Sequence, residues 1–369
     1  MTVCVTGATG FVGAHVARAL AARGDDVRVI YRNPDRLDAL RGVEYRRAKA
    51  DVLDYRAMRR ALRGADLLFH VAGFVGSSPA ERVWSLNAHA PVVAVEAAAA
   101  EGLKRVVVTS TISAIGVARG SEPASEDTAY PPDWLGLAYP DSKHEGERLA
   151  LEAGERHGIE VVVVNPAYVL GVPVNREQPG ETSTRTIGNY LRGRLPAVVG
   201  APMNFADVED VANGHLVAAD RGRPGERYIL GGENLTWHRM IERVAELSGV
   251  RRPVIVLHPG IARIARVREA AGIKGPLPAE ASDLMGRNWK FTSAKARREL
   301  GYRSRPLDDT LRATIAWYQE LIGDGAFKDD ADSSMSRMAF GVRTASRLGL
   351  LTPLRIGQRV AGRSMVVGV

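Results

Sequence analysis

The sequence predicts a doubly wound α/β fold, a parallel sheet covered by helices on both faces, with a smaller cap interleaved toward the C-terminus. Three observations point there. Short β-branched runs alternate with Ala-, Leu- and Arg-rich helical patterns. The runs are continuously apolar, as in strands buried on both faces. A glycine-rich turn follows the first run.

Taken in order, the strands are "TVCVT" (2 to 6), "DVRVIY" (26 to 31), a third strand ending near Lys49, "DLLFHVA" (66 to 72), "RVVVTS" (105 to 110) and "EVVVVNP" (160 to 166). Helices are expected at about 11 to 23, 55 to 63, 81 to 101 and 141 to 157. After Pro166 the rhythm breaks into a stretch rich in Pro, Gly, Thr and charge, 171 to 186. "FADVEDVANGHLVAAD" (205 to 220) returns to a strand and a helix, so the two domains are expected to interleave. The expected boundaries are 1–169 with 205–223 for the sheet domain, 170–204 with 224–328 for the substrate-binding cap, and 329–369 for a basic tail.

The 369 residues carry a formal charge of +8, but unevenly. From Ala331 to Val369 there are six Arg and one acid, Asp332, so the tail holds +5 and the other 330 residues only +3. A near-neutral body with no zinc-finger spacing and no Lys/Arg run interleaved with aromatics argues against nucleic acid. The tail "MAFGVRTASRLGLLTPLRIGQRV" pairs apolar residues with Arg343 and Arg347, and suits either an anionic membrane surface or a helix docked on the protein's own body.

Cys4 is the only cysteine, which excludes an intrachain disulfide and a thiolate cluster and fits a reducing, cytoplasmic setting. His15, His70 and His89 lack metal-ligand spacing, so no metal is expected. The first strand begins at once, without a charged and apolar leader, and no apolar stretch reaches the ~18 residues that span a bilayer, so a soluble protein is expected.

"VTGATGFVGAHVARAL" sets Gly7, Gly10 and Gly13, with Thr9, Phe11 and Val12 between them, at the turn from strand to helix. Such a turn lets the backbone approach a pyrophosphate, which the helix N-terminus stabilises. The alternative is a tight turn with glycine for packing. At the end of the second strand, where a ribose-binding acid would mark NAD(H), "IYRNPDR" places Arg32, with Arg36 nearby, which favours NADP(H) over NAD(H), the alternative.

"AYPDSKHEGE" places Tyr139 four residues before Lys143. On a helix that spacing brings Cβ atoms within ~5–6 Å, where a cation helps a tyrosine to exchange protons at a carbonyl. Tyr45 and Lys49 share the spacing, but on a strand four residues span ~13 Å and cannot cooperate. Pro140 suits a first helical turn. Only seven Lys stand against 43 Arg, so Lys143 is a marked choice. "RVVVTSTISAIG" offers Ser110, Thr111 and Ser113 to hold a substrate oxygen, or to satisfy loop backbone.

Together, "TGATGFVG", "TSTIS" and "YPDSK" resemble the extended short-chain dehydrogenase/reductases over roughly residues 2 to 320. The sequence is similar to the dihydroflavonol 4-reductase and 3β-hydroxysteroid dehydrogenase branch and to hopanoid-associated sugar epimerases. The resemblance implies a Rossmann fold in which Thr111, Tyr139 and Lys143 are catalytic and Lys143 also holds the nicotinamide ribose. It further implies that Asp51 and Val52 border the adenine, that Val71, Ala72 and Gly73 line the cofactor cleft, and that Pro166 sits near the nicotinamide. A small-molecule substrate, and a homodimer through the helices of 81 to 101 and 141 to 157, are implied as well. Two activities stay open: NADPH-linked reduction of a ketone or aldehyde of a fairly apolar molecule, or its reverse, and sugar-nucleotide epimerisation with retained NAD(H).

Overall fold

The computed structural model describes residues 1–174, 176, 183–273, 279–327, 334–361 and 364–368. The chain begins β1 (Thr2–Thr6), α1 (Phe11–Arg23), β2 (Asp26–Tyr31), β3 (Arg46–Lys49), α2 (Tyr55–Leu62) and β4 (Leu67–His70). It continues α3 (Ala80–Trp84), α4 (Ala90–Ala100), β5 (Arg105–Thr109), α5 (Ala138–His157) and β6 (Glu160–Pro166). The helix expected over 81 to 101 is interrupted by a π-helical turn, Ser85–His89. Pro91 has no N–H to return to the Asn87 carbonyl, so the regular ladder cannot run through.

Then come β7 (Tyr168–Leu170), α6 (Arg185–Leu191), β8 (Ala197–Val199), β9 (Pro202–Asp207), α7 (Val208–Arg221), β10 (Arg227–Leu230) and β11 (Glu233–Thr236). The last elements are α8 (Trp237–Ser248), β12 (Val254–Leu257), α9 (Ile261–Ala270), α10 (Ala279–Gly286), α11 (Ala294–Leu300), α12 (Leu307–Gly323), α13 (Ser334–Arg347), α14 (Thr352–Ala361) and β13 (Val366–Val367).

The chain divides into two compact units. The first comprises Met1–Val169, Phe205–Gly232 and Phe291–Arg305. Its seven-stranded sheet has the order β10-β6-β5-β4-β1-β2-β3, and its pairings are parallel. Strand order reverses between β1 and β4, which face each other from Val3↔Leu67 to Thr6↔His70. In open α/β sheets ligands bind at the carboxyl ends of strands at such a reversal, and the glycine turn, His70 to Gly73 and Thr111 all lie at those ends. Ala94, Val95, Ala97 and Ala98 of α4 and Ala150 and Ala153 of α5 are buried in one cluster with Val106, Val108, Val161 and Val163 of the sheet.

This unit is larger than the expected 1–169 with 205–223. Residues 224–232 carry β10, whose Tyr228, Ile229 and Leu230 are fully buried beside β6, and 291–305 carry α11, which packs on α7 and β10. A four-residue strand between Gly225 and Gly231 is too short for its apolar run to stand out in the sequence.

The second unit comprises Leu170–Asn204, Glu233–Lys290 and Pro306–Val369. Its core joins Ile187 and Tyr190 of α6, Met240, Ile241 and Val244 of α8, and Leu311, Ile315, Tyr318 and Leu321 of α12. The basic tail is part of this unit. β13 pairs antiparallel with β12 through Val254↔Val367 and Ile255↔Val366, and Ala339 and Leu351 are buried. Of the tail, residues 329–333, 362, 363 and 369 lie outside the described residues. Among the described residues no helix is long and apolar enough to cross a membrane.

Candidate active site

Ala138 opens α5, so Tyr139 and Lys143 occupy its first turns on one face. Asp141 fixes this start: its buried carboxylate accepts from Leu135 N at 2.9 Å, Leu137 N at 2.8 Å and the Tyr130 hydroxyl at 2.5 Å. Gly146 brings the helix against the π-helical turn, where a Cβ would stand 1.9 Å from the Asn87 carbonyl oxygen.

Thr111 leaves β5 and its side chain hydrogen-bonds Tyr139. The Ser113 hydroxyl donates to Thr111 Oγ1 at 3.3 Å. Ser110, the third hydroxyl of the stretch, is buried with no hydrogen-bond partner for its Oγ. Burial pushes Tyr139 up to about 12, with the Thr111 bond acting the other way, so its phenol is protonated at neutral pH. Lys143 is 6% exposed, and its Nζ donates to the Thr109 carbonyl at 2.9 Å. Burial pulls it down to about 8, while the Glu147 carboxylate opposes that fall. The spacing of Tyr45 and Lys49 has no such outcome: Lys49 ends β3 on an extended backbone.

Sequence reasoning missed the support behind Lys143. Glu147, one turn on, is 4% exposed and accepts from Asn165 Nδ2 at 2.9 Å and Arg227 Nη1 at 3.1 Å. Asn165 Nδ2 also reaches the Thr111 carbonyl at 3.0 Å. Asn87 reads the loop after β4: its side chain accepts from Phe74 N and donates to Phe74 O, each at 2.9 Å, and donates to Ser142 Oγ at 3.2 Å. Four-residue spacing would have placed Glu147 on the Lys143 face. Nothing local in the sequence announces Arg227 or Asn165.

A dinucleotide fits the carboxyl ends of β1, β2 and β4 on three observations. Gly7 has φ +68°, and a Cβ there would stand 2.6 Å from Ala72 N, while one on Gly13 would stand 2.2 Å from Gly7 O. Only glycine permits so tight a turn. The N-cap of α1, Gly10, makes no side-chain cap, leaving the helix N-terminus to Thr9, Phe11 and Val12 backbone. His70 is fully buried at the end of β4, with Nδ1 3.1 Å from Thr6 Oγ1 and Nε2 without a partner. The Thr6 hydroxyl also accepts from Ala72 N at 3.2 Å, which orders Val71 to Gly73. A Cβ on Gly73 would stand 2.9 Å from Lys143 Nζ, so this loop and the lysine meet.

Arg32, expected at the end of β2, is exposed and stands 3.5 Å from Asp51, and Val52 is half-buried beside it in sequence. Pro166 is buried on β6 opposite Leu230. Met203 and Phe205 are 6% and 1% exposed and belong to packing, Phe205 edge-on to Tyr168. Trp84 and Trp134 instead form an aromatic group near the start of α5, 5.9 Å apart, with Trp134 edge-on to the Tyr130 and His144 rings, which stack at 3.8 Å.

Residues 3–231 match the model of the NAD dependent epimerase/dehydratase family. A sterol demethylase protein B from Methylococcus capsulatus is 32% identical over 329 residues, covering 87% of this chain and 99% of that one. A putative dihydroflavonol 4-reductase from Synechocystis is 31% identical over 327 residues, covering 85% and 94%. Among solved structures, a nucleoside-diphosphate-sugar epimerase from Pseudomonas aeruginosa superposes with a TM-score of 0.73 at 29% identity, covering 89% and 99%. The chain therefore belongs to the NAD-dependent epimerase/dehydratase family and is an NAD(P)-dependent oxidoreductase of the extended short-chain dehydrogenase/reductase type.

Proposed function

We propose that the protein reduces a ketone or aldehyde of a fairly apolar small molecule with NADPH, or oxidises the corresponding alcohol. The observation that carries this reading is the joined set of Thr111, Tyr139 and a buried Lys143. A bound nicotinamide supplies or accepts the hydride. Tyr139, held protonated by burial, donates its phenolic proton to the substrate oxygen as charge develops there. Thr111 positions that oxygen beside Tyr139. Lys143, kept cationic by Glu147, stabilises the phenolate left behind and binds the nicotinamide ribose. Gly7, Thr9, Gly10, Phe11, Val12 and Gly13 hold the pyrophosphate, Asp51 and Val52 the adenine, and Val71, Ala72, Gly73 and Pro166 the remainder of the cofactor.

NADP(H) is favoured by Arg32. Its pair with Asp51 is exposed, 63% and 38%, hence weak, and a doubly charged 2'-phosphate competes well for the guanidinium. An apolar substrate is supported by the half-buried Trp84 and by Trp134, 39% exposed. The names of the similar proteins, a sterol demethylase protein and a dihydroflavonol reductase, point to ring compounds of that kind. Sugar-nucleotide epimerisation with retained NAD(H) is the second reading, favoured by the likeness to the Pseudomonas epimerase.

The test is titration with NADPH and NADH, followed by turnover of a panel of ketones, aldehydes and UDP-sugars. Preference for NADPH with its net consumption supports the reductase. Tight NAD(H) with UDP-sugar interconversion and no consumption replaces it with the epimerase.

A further inference from the structure

β3 ends the second Tyr-to-Lys spacing of the sequence and holds three cations in different surroundings. Arg46, at its start, pairs with Asp26 at 3.0 Å, and Arg47 lies 5.7 Å from the centre of the Tyr45 ring. Lys49, at its carboxyl end, is exposed, and its ammonium has no hydrogen bond, ion pair or ring contact among the described residues.

β3 pairs with β2 so that Lys49 stands opposite Tyr31, and the Ala50 N–H donates to the Tyr31 carbonyl at 3.0 Å. Arg32 is the next residue of that chain segment. Ala48 and Ala50 pack with Ile30, Met58 and Leu62 on the α2 face, so alternation turns Lys49 to the other face together with Tyr31. Neighbouring strands lie about 4.8 Å apart, less than the length of a lysine side chain, so the Lys49 ammonium can reach the turn that begins at Arg32. That turn is fixed by Asn33, whose side chain accepts from Asp35 N at 3.0 Å as it caps the short 3₁₀ helix Pro34–Leu40.

Arg32 alone discriminates poorly in favour of a dianion, because Asp51 comes with it at 3.5 Å. Asp51 is itself held, accepting from Leu53 N at 3.0 Å. A 2'-phosphate entering beside this pair meets a carboxylate as well as a guanidinium, and its second charge calls for a cation that is not already paired with an acid. Lys49 is such a cation, one strand away. We propose that Lys49 is a second specificity residue for the cofactor, its ammonium meeting the 2'-phosphate of NADP(H) from β3 while Arg32 meets it from the end of β2. The inference rests on the NADP(H) reading above and extends it to a residue on another strand.

Calorimetric titration of the full chain with 2',5'-ADP and 5'-AMP, which differ only in that phosphate, tests it without turnover. The wild type prefers 2',5'-ADP. Lys49→Gln weakens 2',5'-ADP about five- to tenfold, the loss of one charge-assisted contact at an exposed site, and leaves 5'-AMP within about twofold. Lys49→Arg restores the cation and keeps the preference, and added salt weakens 2',5'-ADP binding more steeply in the wild type than in Lys49→Gln. The thermal midpoint without nucleotide stays at the wild-type level, since the ammonium has no partner to lose. A preference for 2',5'-ADP that Arg32→Gln diminishes and Lys49→Gln leaves intact overturns this inference alone and makes Lys49 a guard of the sheet edge against strand pairing. Equal binding of the two nucleotides by the wild type overturns the NADP(H) reading and the inference with it.

Discussion

Arg227 on β10 meets the buried Glu147 carboxylate on α5 at 3.1 Å, one helical turn beyond Lys143. The two residues are 80 positions apart, and the last strand of the sheet is what brings them together. Arg227 also donates through Nη2 to the Glu126 carbonyl at 2.6 Å, so it is held on two sides. A fixed anion beside a buried lysine offsets part of the desolvation that pulls Lys143 down to about 8.

Glu147 is therefore a positioning residue whose loss is read in the pH profile. Lys143 is cationic below its pKa, so activity that needs the cation falls as pH rises through about 8. Glu147→Gln removes the carboxylate's support, lowers the lysine further and moves this alkaline limb to lower pH. Bell-shaped profiles of kcat/KM for both proteins check it. A variant that merely loses activity, with its limb unmoved, would give Glu147 a purely structural role.

Tyr139→Phe keeps the ring and removes the proton. A reduction rate lower by roughly 10²- to 10⁴-fold is expected, the range for a positioned general acid, with nucleotide affinity retained. Thr111→Ser keeps a hydroxyl and retains most of the rate, whereas Thr111→Val loses it. Loss in Thr111→Ser with the rate kept in Thr111→Val would mean that the methyl group, not the hydroxyl bonded to Tyr139, is what matters there.

Gly146 is a steric requirement of the site. The obstacle to a side chain is the Asn87 carbonyl at 1.9 Å, backbone that cannot rotate away. Gly146→Ala must part α5 from the π-helical turn, a change expected to cost about 1 to 3 kcal/mol. Because Asn87 also holds Phe74 and Ser142, the same substitution weakens nucleotide binding. Denaturant unfolding beside NADPH titration checks both effects; an unchanged midpoint would show that the helices have room to separate.

The sheet was legible because its strands are buried on both faces, and such strands print uninterrupted apolar runs in the sequence. Tyr139 and Lys143 were legible because a helix converts a spacing of four into proximity, which is also why Lys49, at the end of a strand, was separable from Lys143. Arg227 and Asn165 were not, since their partner Glu147 is distant in sequence and no local pattern encodes a crossover. β10 escaped for another reason: "RYIL" is four residues between glycines, and the sheet edge rather than propensity makes it a strand. The tail's amphipathic pattern was visible, but which side it buries depended on the β12 edge that β13 joins.

Acid should unfold the protein through two histidines. His70 is wholly buried and pulled down to about 3, by burial first and by the Lys143 charge second. His215 is pulled down to about 4 by burial, against the bond from its Nδ1 to the Val211 carbonyl at 2.7 Å, and its Nε2 lies 2.9 Å from Thr109 Oγ1. Both folded values lie below the ordinary 6.5, so the unfolded chain takes up protons that the folded one refuses. Their contribution is complete above 6.5 and is lost as pH falls through the interval toward the folded values. The slope reaches up to about 1.4 kcal/mol per pH unit for each histidine. Urea unfolding at about pH 7 and about pH 5 should show this loss in the wild type, and His70→Gln should make the dependence shallower, since the unfolded chain then has one proton fewer to gain. A variant as pH-sensitive as the wild type would place the acid lability in the carboxylate network instead.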